Sequence, residues 1–223
     1  MNKISMPFPG RELANEELSR DNCYGKVPEC DRPVIADKAW LKGIRAAELV
    51  FKRYRGEKNF MKIIEESGLT CEKIDTDYVM GNQRYFGDYL TGQKLIHLYM
   101  KSIFLWTEEN KMETDEAVNL ILSHEYYHFL EWSELGLTSK DYQVPMVKIG
   151  GLKIGRTGIR ALSEIGAHGF ACRYYQLANT PREYPHALKT GKEGENTLGG
   201  ISLCQKTGQE RRKEEVYETG FEL

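Results

Sequence analysis

Nowhere in the 223-residue sequence is there a run of the roughly 18 uncharged apolar residues that a membrane-spanning helix needs. The first ten residues, with Pro7, Pro9 and charges, also lack the apolar core of a secretory signal. Cysteine is sparse. Five scattered residues, an odd number, exclude a disulfide-built scaffold and fit a reducing compartment, so the expected location is the cytoplasm. Cys23 and Cys30 have no second closely spaced Cys or His pair and are not expected to form a zinc ribbon. With only 7 prolines, 40% hydrophobic and 29% charged residues, the chain is neither collagenous nor disordered. An excess of charge is missing too. The 31 basic and 33 acidic side chains give a net charge of -2, so neither general nucleic-acid binding nor a membrane surface is expected.

What remains is a folded domain, expected over 37–181 between an irregular, proline-containing extension at 1–36 and a polar tail at 182–223. Apolar spacing predicts helices over 37–55 and 59–67, then strand-like segments at 70–74, 77–81 and 84–90. The stretch 93–106 reads as β-structure, two strands around a turn near Lys101 and Ser102. A helix over 115–135, capped by Thr114 and stopped by Gly136, carries Val118, Ile121, Leu122, Phe129 and Trp132 on its apolar face. A last helix is expected over 159–178. The glycine-rich stretch 148–158 lacks the order of a phosphate-binding loop and reads as a turn or cleft wall.

The chemistry sits in the middle helix, at His124-Glu125-Tyr126-Tyr127-His128. Residues four apart on a helix differ by only about 40° around its axis, so both imidazoles project from one face and can grip one zinc ion. Glu125, one residue on, cannot point along the same line but can reach a water on the open side of the metal and take its proton. Glu164, in the following helix, is the expected third ligand, because alanines at 161, 167 and 171 share its face and allow close packing. His168, one turn further, offers an alternative ligand, a partner that orients a ligand, or a donor to a developing oxyanion. His97 in a strand and His186 in the tail are not expected to bind metal.

Glu164, Ala167, Phe170 and Ala171 fall in register with an E-x-x-A-x-x-F-A pattern, and with the upstream element order they make about three-fifths of the chain resemble the ImmA/IrrE-like metallopeptidases. The resemblance implies a compact zincin-like α+β domain with a small mixed or antiparallel sheet, the motif helix packed against a second ligand helix. It implies zinc held by His124, His128 and Glu164, with Glu125 as general base in cleaving a peptide bond, the substrate being a dedicated protein such as a transcriptional repressor. The sequence departs from the family at His168, where Asn or Asp is usual. Two further readings stay open: a partner-binding module that keeps the scaffold without proteolysis, and a zinc hydrolase of a non-protein amide. The strand near 95–99 is expected to run beside the cleft and pair with an extended substrate.

Overall fold

Pro33 starts a helix rather than breaking one, since the N–H it lacks would be unpaired in the first turn anyway. The computed structural model describes residues 8–81, 83–149 and 151–180, so the expectations for the tail, His186 among them, lie outside the described residues. In chain order the elements are helices α1 (Ala14–Ser19), α2 (Arg32–Arg53) and α3 (Phe60–Glu66), strands β1 (Thr70–Ile74), β2 (Tyr78–Met80), β3 (Gln83–Tyr85), β4 (Gly87–Leu90) and β5 (Leu95–Tyr99), helices α4 (Met100–Asn110) and α5 (Thr114–Leu130), strands β6 (Gln143–Ile149) and β7 (Leu152–Gly158), and helix α6 (Ala161–Asn179). The fold is therefore mixed α+β. Among the described residues, no helix is long and apolar enough to cross a membrane.

The main sheet has the order β1-β5-β4, with β1 parallel and β4 antiparallel to β5. Two antiparallel ribbons, β2/β3 and β6/β7, stand apart from it. The glycine-rich stretch belongs to the second ribbon. Since β5 is hydrogen-bonded on both sides, it has no free edge for a substrate. That corrects the expectation for 95–99: the edge strand next to the cleft is β4.

Three other expectations change. The segment 100–106 is the start of helix α4, not a strand: Ser102, Ile103 and Thr107 are buried while Phe104 and Leu105 are exposed, a helical rather than an alternating pattern. Within 1–36 there is regular structure, because α1 lays Ala14 and Leu18 into the core and α2 begins at Arg32. The middle helix ends as an α-helix at Leu130 and continues as a π-helical turn over Glu131–Leu135. That change of winding leaves Trp132 exposed and not on the buried face.

The core lies on two sides of α6. Ala167, Phe170 and Tyr174 join α3, α5 and the sheet, while Leu162, Ile165 and Cys172 join α1 and α2. Glycine allows α2 and α6 to cross closely: a Cβ added at Gly169 would lie 2.6 Å from the Trp40 carbonyl oxygen. Helix α5 is buried on nearly every side, which holds its histidines at fixed depth.

Candidate metal centre

One turn of α5 separates His124 from His128, and α6 crosses where Glu164 meets both. His124 Nε2 is 3.3 Å from His128 Nε2 and 3.2 Å from Glu164 Oε2, and His128 Nε2 is 3.7 Å from Glu164 Oε1. Donors bound tetrahedrally at about 2.0–2.1 Å stand roughly 3.3–3.4 Å from one another. The three side chains thus form a triangle of the size that one ion spans, and among the described residues they are the only such group.

Glu131, at the start of the π turn, fixes one ligand. Its Oε2 accepts from His128 Nδ1 at 2.9 Å, which turns Nε2 toward the triangle. Its Oε1 accepts from the Thr138 backbone N–H at 2.7 Å and from Ser163 Oγ at 2.8 Å. The carboxylate thereby ties α5, the following loop and α6 together. His124 Nδ1 is buried and has no such partner among the described residues.

Burial opposes charge at His128, Glu164, Glu125 and His168. It would depress the His128 imidazole, yet the Glu164 charge and hydrogen bonds to Glu131 and Glu164 raise it well above the ordinary range. It would raise Glu164, yet His128 and His124 hold that carboxyl well below its usual value. Metal-free, the triangle is a charged pair. At Glu125 burial prevails: the residue is only 7% exposed and its carboxyl is pushed up, though His124 and His128 act the other way. Burial, then the His124 charge, pushes His168 down to about 3, so that imidazole is neutral.

Around the triangle opens a cleft of about 860 Å³. Its wall on one side is β4, where a Cβ added at Gly87 would lie 2.8 Å from the His97 carbonyl oxygen of β5 and 3.1 Å from Ile121 Cγ2 of α5. Asp88, on the same strand, accepts from the Tyr99 hydroxyl at 2.6 Å. Helix α1 closes another side through Glu17 and Arg20, paired at 2.9 Å. Burial, opposed by Arg20 and reinforced by Glu164, raises the Glu17 carboxyl.

No protein-family model, curated protein or solved structure matches the chain.

The donor set defines what the site can do. Two neutral-nitrogen donors and one carboxylate suit a divalent ion with room for further ligands, and the open cleft gives access to it. Of the residues singled out in the sequence, His124, His128 and Glu164 come together and Glu125 lies beside them. His168 stands outside the triangle, its ring 5.0 Å from that of His124. His97 is not part of the triangle either, its Nδ1 lying 3.1 Å from Asp88 Oδ1. Glu131 and Asp88 are absent from the sequence expectations: the i,i+3 spacing of His128 and Glu131 is a local signal for the first, while the Thr138 and Ser163 groups that fix Glu131, and Tyr99 against Asp88, come from other elements. Phe8, whose ring meets His124 at 5.8 Å, is likewise unannounced.

Proposed function

We propose that the protein is a zinc metallopeptidase with a zincin-like arrangement of the ImmA/IrrE-like kind, cutting a peptide bond in a protein substrate. The observation that carries this is the donor triangle with a carboxylate beside it. A structural site has no use for Glu125 next to its histidines, whereas hydrolysis needs a base there. His124, His128 and Glu164 would hold the ion, which supplies Lewis acidity, acidifying water and polarising a carbonyl. Glu125 accepts the proton of the attacking water and returns it to the leaving amine. Burial raises its pKa, which strengthens it as a proton acceptor relative to an exposed carboxylate. The free edge of β4 supports the assignment as well, since an extended peptide can add to it as a further strand.

Glu125→Gln tests the proposal. The variant keeps the shape of the site and all three ligands, so it should retain stoichiometric zinc while turnover of a peptide library, followed by mass spectrometry, falls at least ~100-fold, as for a lost acid–base group. Undiminished turnover, or loss of the metal with the base, would reject it.

A further inference from the structure

Trp106 on α4 and Phe86 between β3 and β4 form an aromatic wall of the cleft, their rings 5.2 Å apart. A residue from the start of the chain rests against that wall. The Phe8 ring lies 5.8 Å from Trp106, 5.8 Å from His124 and 5.5 Å from His168, centroid to centroid. One aromatic side chain thus bridges the apolar wall and a ligand of the candidate metal centre. The backbone behind it is held: Cys172 Sγ donates to the Pro9 carbonyl at 3.7 Å, and Arg11 Nε donates to Asp37 at 2.7 Å. Beyond that, α1 buries Leu18 completely. Phe8 itself is only half-buried and lines the open cleft. Phe8 packs against the rim of both halves of the core, and its ring is placed where core and cleft meet, beside the candidate ligands.

We infer that Phe8 is a built-in occupant of a substrate subsite: the seat made by Trp106 and the His124 and His168 rings takes an aromatic side chain of the peptide substrate, and Phe8 must withdraw to admit it. The inference rests on the peptidase assignment above and adds both a preference and a brake to it. A tethered occupant competes at an effective concentration in the millimolar range, so modest contacts keep the seat filled until a peptide with a matching ring, extended along β4, displaces it. Peptides without an aromatic side chain gain nothing from the seat and leave Phe8 where it is.

Binding separates this from a purely structural role. The 223-residue chain carrying Glu125→Gln and loaded with zinc keeps peptides intact, and calorimetry then compares two blocked decapeptides that differ only in a central Phe or Ala. Adding Phe8→Ala should tighten the Phe peptide about tenfold, the effect of freeing a seat for one partly buried ring, and leave the Ala peptide unchanged. Equal affinities with and without Phe8, weakening of both peptides, or no binding to either protein would overturn the inference. Should Phe8→Ala fail to fold, Phe8→Leu, which keeps apolar bulk without the ring, should show the same selective gain at smaller amplitude. Failure of the peptidase assignment looks different: with Glu125 intact, neither the protein that retains Phe8 nor the Phe8→Ala variant cleaves any peptide, while the selective gain in binding persists and supports the seat.

Discussion

Glu131 uses one carboxylate to orient a candidate ligand and to join three parts of the chain, and it is only 3% exposed. Glu131→Gln keeps its volume but replaces the charged acceptor opposite His128 with an amide that can present an N–H instead. Metal affinity should fall about 10–100-fold, the usual effect of losing a carboxylate behind a ligating histidine. Competition with a chromogenic chelator measures it, and an unchanged affinity would mean that His128 is held well enough without this partner. The contrast with Glu125 and the two histidines shows what a sequence can disclose about single residues. Helical spacing alone puts His124 and His128 on one face, and a second helical register brings Glu164 within reach of a guess. Glu131 stands at i+3 from His128, a spacing the sequence displays, but the Thr138 and Ser163 groups that anchor it arrive from the next loop and from α6, and no local pattern records them.

At the scale of elements, the helices α2, α3, α5 and α6 were legible because each carries a sustained apolar period, whereas α4 was not. Its Ile103, Phe104, Leu105 and Trp106 favour strands intrinsically, and the helix is fixed from outside: Ser102 Oγ donates to Asp77 at 2.8 Å and accepts the Tyr78 N–H at 3.0 Å, tying the first turn of α4 to the start of β2. The same tertiary override governs β4. Gly87 is needed there for close approach, since an added Cβ would come within 3.1 Å of Ile121 Cγ2 as well as crowding the β5 backbone. Gly87→Ala should therefore cost about 1–3 kcal/mol, as overpacking does. Gly92→Ala, at a site with open space around it, should cost little. Urea unfolding of the two variants compares them directly. A matching loss in both would show that backbone freedom, and not the contact between β4 and α5, sets the requirement.

For the whole molecule, a metal ion at the triangle would staple α5 to α6 and so link the two halves of the core that meet along α6. An ion present at about 100 times its dissociation constant adds roughly 2.7 kcal/mol, or some 5–10 °C in Tm for a domain of this size. The gain must depend on pH, and the direction follows from the two shifted groups. In the metal-free protein His128 is raised, so its contribution to stability is complete below its unfolded value of about 6.5 and is lost as pH rises through the folded one. Glu164 is lowered, so its contribution is present above its unfolded value of about 4.3 and is lost as pH falls through the folded one. The metal-free fold should accordingly gain most from this pair at mildly acid pH. Binding an ion at His128 Nε2 expels the proton held there, so metal affinity climbs with pH over the range in which the metal-free pair weakens. Melting curves with and without zinc, from about pH 5 to about pH 9, should separate progressively toward the alkaline end. Glu164→Ala should close the gap at every pH, because the carboxylate that completes the triangle is gone. A separation independent of pH would show that His128 carries no proton in the metal-free protein, and a separation that survives Glu164→Ala would place the ion elsewhere.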